Sequence, residues 1–220
     1  TLSAQSVALA QGAALLGNDF NLDCAQSGFG ITPIIGVDWN LGKLNLAAKY
    51  EFRTKINLEN DSKATSQNVT MLMPTYADGV KVRSDIPAIM TLGAQYEICD
   101  NLRAMVGGVY YWDKDAKGSP IVEGENTWEA NFGIEWDIND KILLSCGAQR
   151  TEYGFADADM KDTNFNTSST AVAIGGAYKF NEKMKLNVGY MHSFYDHYKF
   201  TNANKTACDY TRKNDAVGVS

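Results

Sequence analysis

The chain has 220 residues, 45% of them apolar, so it is long and hydrophobic enough to bury a core and is not a disordered segment. Its 20 Lys and Arg against 26 Asp and Glu leave a net charge of −6, which argues against a nucleic-acid partner, because such domains carry a basic surface. No stretch of about 20 mostly apolar residues is present, so no transmembrane helix is expected; a membrane-spanning β-barrel stays open, because alternating strands dilute their own hydropathy.

Residues 1–16 are rich in Ala, Leu, Gln and Ser, and Gly17 would stop a short helix there. From Phe29 onward the period changes to two. Residues 44–58 carry it furthest: Leu44, Leu46, Ala48, Tyr50 and Phe52 take one parity, and Asn45, Lys49, Glu51, Arg53 and Lys55 the other. Successive side chains of a strand point to opposite faces, so one face is apolar and the other charged. Ordinary strands run about 5–6 residues, and a longer two-faced strand suits a wall between oil and water. The same alternation recurs at 102–113, at 125–138 around Trp128, Phe132 and Trp136, and at 184–198, where His192 interrupts the apolar parity. With weaker runs at 29–39, 84–98, 141–153, 169–180 and 210–220, nine strands are expected.

The connections alternate strictly in kind. Asn40–Lys43, Cys99–Asn101, Asn139–Lys141 and Asn181–Lys183 are tight turns rich in Asn, Asp or Gly. Long polar stretches lie between them, near 59–83, 114–125, 154–168 and 199–209. In an antiparallel meander all short turns then fall at one end and all long loops at the other, as in outer-membrane barrels. Aromatics band at both ends: Trp39, Tyr96, Trp136 and Phe180 just before the short turns, and Tyr50, Tyr110, Trp128, Phe194 and others toward the long loops. The alternative is a soluble β-sandwich, but its strands are shorter and its loops lack this asymmetry. The expected fold is therefore all-β, an antiparallel up-and-down transmembrane β-barrel.

Catalytic signatures are absent, with no G-x-S-x-G, H-E-x-x-H or P-loop, and no enzyme is expected. The two histidines, His192 and His197, are five apart on a strand and point to opposite faces, which makes them poor joint ligands. Asp157, Asp159 and Asp162 crowd one loop but lack the Gly and distal Glu of a calcium site, and a solvated loop is expected. Asn68, Asn166 and Asn204 head sequon matches that mark exposed loops. Cys24, Cys99, Cys146 and Cys208 show no close pair, which excludes a zinc motif and favours isolated small apolar residues over a disulfide. Neither a metal nor a cofactor is implied. Thr1 at one end and the strand-like Ala216–Val219 near the other are read as the ends of a fragment or processed product.

The charged face carries the candidate site. Lys49, Glu51, Arg53, Gln95, Glu97, Glu129, Asn131 and Glu135 would line a lumen, where mutual neutralisation is the plainer role. Lys49 or Arg53 would hold a substrate carboxylate through charge-assisted hydrogen bonds, with Glu51 between them as a resting ion-pair partner.

The order of these motifs resembles the FadL-type family of outer-membrane transporters of long-chain fatty acids and other hydrophobic molecules, from about Gly28 to the end. The carrying segments are Gly28-Phe29-Gly30 with Thr32–Val37, Lys49-Tyr50-Glu51-Phe52-Arg53, Ser84-Asp85-Ile86-Pro87, and Ala177–Asn181 with Gly189–His192. The resemblance implies a barrel of about 14 strands, of which these nine are the sixth to last. It implies that residues 1–27 end a helical extracellular loop and that 28–220 supply barrel strands, and that the family's N-terminal hatch and kinked third strand lie outside this chain. It further implies a Gram-negative outer membrane, a monomeric barrel in contact with outer-membrane lipid, and passive transport of a hydrophobic small molecule or fatty acid through a lumen pocket. The alternative is a structural or adhesive barrel whose extracellular loops bind a partner.

Overall fold

The computed structural model describes residues 22–64, 73–160, 165–201 and 206–220. In chain order its strands begin with β1 (Leu22–Ser27), β2 (Ile34–Leu41), β3 (Leu44–Glu51), β4 (Asn57–Ala64), β5 (Lys81–Arg83), β6 (Ile89–Cys99) and β7 (Leu102–Tyr111). They continue with β8 (Trp128–Asn139), β9 (Ile142–Glu152), β10 (Ser169–Asn181), β11 (Met184–Tyr195), β12 (Tyr198–Thr201), β13 (Ala207–Tyr210) and β14 (Lys213–Val219). Two compact units result, residues 1–31 with 54–86, and residues 32–53 with 87–220. The helix expected over 1–16 lies outside the described residues, while Leu22–Ser27, inside the span 1–27 expected to end a helical loop, are strand β1.

The smaller unit is the antiparallel sheet β1-β4-β5. Its polar centre is Asn60, 3% exposed, whose amide donates to the carbonyls of Thr75 (2.8 Å) and Ala77 (3.2 Å) and accepts from Gln26 Nε2 (2.8 Å). A buried amide has to spend its donors and acceptor this way, because an unmet one costs about 1–3 kcal/mol. The 44–58 segment is therefore not one strand. β3 ends at Glu51, Thr54 bridges Ile86, and the chain re-enters pairing as β4. Alternation reports extended backbone and is blind to a change of partner strand.

The larger unit holds the expected nine-stranded sheet, in the order β14-β11-β10-β9-β8-β7-β6-β3-β2, antiparallel throughout. The short turns sit where expected. In three of them an Asn side chain accepts the N–H two residues on: Asn40 from Gly42 (3.1 Å), Asn139 from Lys141 (2.9 Å) and Asn181 from Lys183 (2.9 Å). Gly42 takes the left-handed φ of 72° that the first of these turns requires. The register slips between Glu97 and Cys99, Asp137 and Asn139, and Lys179 and Asn181, each time just before a short turn. Strand 184–198 stops earlier than expected, at Tyr195, and the chain leaves the sheet to form the β12-β13 hairpin inside the expected polar loop.

Cross-strand partners share a face, and the register keeps the two faces separate. Trp39, Leu46, Ala94, Val106, Phe132 and Ala148 follow one another across one face. Lys49, Thr91, Val109, Glu129, Thr151 and Ser169 follow one another across the other. The large apolar side chains of the first face are exposed: Val106 57%, Ile174 66%, Val217 73%. A soluble monomer rarely exposes an apolar patch above a few hundred Å². The buried apolar cluster lies instead among the connections. Ile121, Phe155, Met160 and Tyr210 pack there with Tyr153, Phe165, Tyr198 and Phe200.

Candidate functional site

The mixed face combines small residues with a few charged groups. Gly93 pairs with Gly107, Gly133 with Gly147, and Gly175 with Gly189, which thins the wall from inside. Toward the short turns a cavity of about 680 Å³ is bordered by Arg103, Met105, Glu135, Ser145, Lys185 and Asn187. Arg103 is the anchor. Its Nε lies 2.6 Å from Glu135 Oε2 and its Nη1 2.7 Å from Asp137 Oδ2, two carboxylates spaced to meet both arms of one guanidinium. The sequence reading missed Arg103, although its parity between Leu102 and Ala104 marks it for this face.

The sequence-predicted residues divide. Lys49 and Glu51 come together as an ion pair, Nζ to Oε1 2.7 Å, with the lysine half exposed. Arg53 lies beyond the end of β3 and takes no part in that pair; its guanidinium donates to the Asp115 carbonyl, in a 3-10 turn at Asp113–Asp115. His192 meets Asp215 (2.7 Å) and His197 meets Asp209, so the histidines serve different carboxylates. Among the described residues no group of three metal-ligating side chains assembles, and all four cysteines are unbridged.

At the long-loop end the connections build a cap. Asp159, expected to be solvated, is 4% exposed. It accepts the N–H groups of Val122 (2.9 Å), Glu123 (3.1 Å), Gly124 (2.8 Å) and Ala156 (3.2 Å), tying two long connections together. Burial pushes its pKa up, but the four donors outweigh this and hold it below the ordinary carboxylate value. Gly124 and Gly154 let the two backbones meet: an added Cβ on Gly154 would lie 1.9 Å from the Glu125 carbonyl oxygen, and one on Gly124 1.7 Å from that of Gly154. The Tyr198 hydroxyl donates to Asp157 (2.6 Å), and desolvation together with that bond pushes the phenol up to about 12. The sequence signal for the cap is faint, consisting of isolated apolar residues, Ile121, Phe155 and Met160, within polar stretches.

The apolar face also carries charged groups at the same end: the His192–Asp215 pair, and a network around Arg150. Arg150 Nη2 lies 2.6 Å from both Glu152 and Asp196, and its Nη1 donates to Thr170 Oγ1 at 3.3 Å. Every guanidinium arm is engaged, so the charge is neutralised locally.

No family model matches the sequence, and no curated protein sequence is similar to it. Solved structures are similar in fold. The CymD monoaromatic hydrocarbon channel superposes with a TM-score of 0.56 at 14% identity, over 89% of this chain and 60% of that one. The toluene transporter TodX of Pseudomonas putida gives 0.53 at 17% identity, over 90% and 56%. A TodX deltaS2S3 mutant gives 0.54 at 16% identity, over 99% and 60%. The fold is similar to that of these channels, which are of the FadL type. The chain spans between half and two thirds of the length of these FadL-type channels, and its nine-stranded meander supplies strands of such a sheet.

Proposed function

We propose that the protein forms part of the wall of an outer-membrane channel through which hydrophobic small molecules cross passively, without a cofactor and without catalysis. The observation that carries this reading is the segregation of faces. One face of nine strands exposes Val106, Ile174 and Val217 as a lipid-facing surface would, while the other holds the Lys49–Glu51 and Arg103–Glu135–Asp137 ion pairs. The names of the structural neighbours, a monoaromatic hydrocarbon channel and a toluene transporter, support the substrate class.

In this reading Lys49, Glu51 and Arg53 line the mouth on the long-loop side. A fatty acid is the version in which Arg53, with donors left over from its bond to Asp115, receives the carboxylate head. The test is uptake of radiolabelled toluene and of hexadecanoate by Gram-negative cells that lack their own channel and express the protein. Faster toluene uptake than in cells with an empty vector is expected. No acceleration of either compound defeats the channel reading, and acceleration of toluene alone removes the fatty-acid version.

A further inference from the structure

We infer that the mixed face carries a site for hydrophobic molecules bearing an ammonium group, built by Glu129 between Tyr111 and Tyr153. The inference rests on the channel reading and names a substrate class for it. Glu129 pairs in register with Val109 on β7 and Thr151 on β9. Tyr111 and Tyr153 lie two residues beyond those partners, hence on the same face. Both rings are close enough to Glu129 to feel its charge, and Tyr153 also packs against the cap cluster.

Among the described residues, Glu129 has neither an ion-pair nor a hydrogen-bond partner, whereas Lys49, Arg53 and Arg212 each have a partner of their own. Lys49 is held by Glu51 and stands three strand spacings from Glu129, about 14 Å. Arg53 binds the Asp115 carbonyl. Arg212 rests over the Tyr195 ring, 5.0 Å from its centroid, on a tyrosine in the same register row as Glu129, and its charge also reaches Tyr153. A phenol face of this wall thus already receives a cation.

The three kinds of head group fare differently here. A carboxylate would meet an unpaired carboxylate. A bare hydrocarbon would strip water from Glu129 and return no partner. An ammonium gives Glu129 a charge-assisted hydrogen bond and offers its charge to two ring faces. The preferred head group is therefore opposite in sign to the one that Lys49 and Arg53 suggest from sequence.

The test uses the protein purified from outer membranes in a nonionic detergent, titrated calorimetrically with benzylammonium, benzoate and toluene, which share one ring. Benzylammonium is expected to bind about tenfold tighter than benzoate, with a preference that shrinks as salt is raised. Glu129→Gln should abolish the preference for benzylammonium over benzoate; Tyr111→Leu should weaken benzylammonium more than benzoate. Equal affinity of the wild type for the two ions, or a preference for benzoate, overturns the inference without recourse to any variant. Toluene binding without an ammonium preference overturns it and leaves the channel reading standing. Binding of none of the three removes both.

Discussion

The nine-stranded sheet and the cap formed by its long connections are built on opposite rules within one compact unit. In the sheet, Trp39, Phe132 and Ile174 are exposed, and the Lys49–Glu51 and Arg103–Glu135–Asp137 ion pairs stand on the mixed face. In the cap, Phe155, Met160 and Ile121 are at most 9% exposed, around a carboxylate that is itself buried. The hydrophobic effect operates in the second region as in any soluble domain. In the first it has no purchase, because acyl chains would take the place of water at the apolar face. The backbone is satisfied differently too: each sheet strand finds its partner in a neighbouring strand, while the cap borrows a side chain, Asp159, to meet four N–H groups.

The sharpest way to break this comparison is at the backbone contact inside the cap. Gly154→Ala would drive a Cβ to within 1.9 Å of the Glu125 carbonyl, with backbone on both sides and nothing to yield. A loss of about 4 kcal/mol in cap stability is expected. Limited trypsin digestion should then cut at Lys114 and Lys117 in the variant and spare the sheet. Equal protection of variant and wild type would mean that the contact is not tight.

On the sheet, Val106→Arg puts a charge in the middle of the apolar face at a position 57% exposed. On a soluble surface this would be nearly free. Facing acyl chains it costs roughly 2–4 kcal/mol. Outer-membrane yield, measured by heat-modifiable gel mobility, should fall for Val106→Arg and hold for Thr91→Lys, on the neighbouring strand but on the mixed face. Equal yields would defeat the lipid-facing assignment.

The smallest effect concerns Asp159. Its folded pKa is depressed, so its contribution is complete above the ordinary carboxylate value of about 4 and is lost as pH falls through the lower folded value. Asp159→Asn should cost about 1–3 kcal/mol of cap stability near neutral pH. Protease resistance of the wild-type cap should approach that of the variant only in strong acid. A variant as resistant as the wild type at neutral pH would show the four N–H groups to be satisfied without a charge.

Much of this was legible in the residues. Alternation at 44–52, 102–113 and 125–138 marked which side chains share a face, and Asn40, Asn139 and Asn181 marked the short turns, because both signals are local. Glu51 as the partner of Lys49 was legible for the same reason, since the two are two residues apart on one strand. Arg53 was not, because its partner Asp115 is 62 residues away. Arg103 with Asp137 and Asp159 with Val122 were hidden likewise, each joining elements distant in the chain.

The sequence by itself determined the all-β class, the strand count of the main sheet, the two faces and the end at which the long loops lie. These follow from a side-chain period of two and from turn chemistry, both properties of neighbouring residues. Only the tertiary structure decided that 57–64 pairs with 22–27 rather than continuing β3, that the long connections of the sheet make a cap with its own core, and that Glu129 on β8 shares a register row with Thr151 of β9 and Val109 of β7. Those outcomes depend on which extended segments meet across tens of residues, and a strand's own alternation carries no record of its partner.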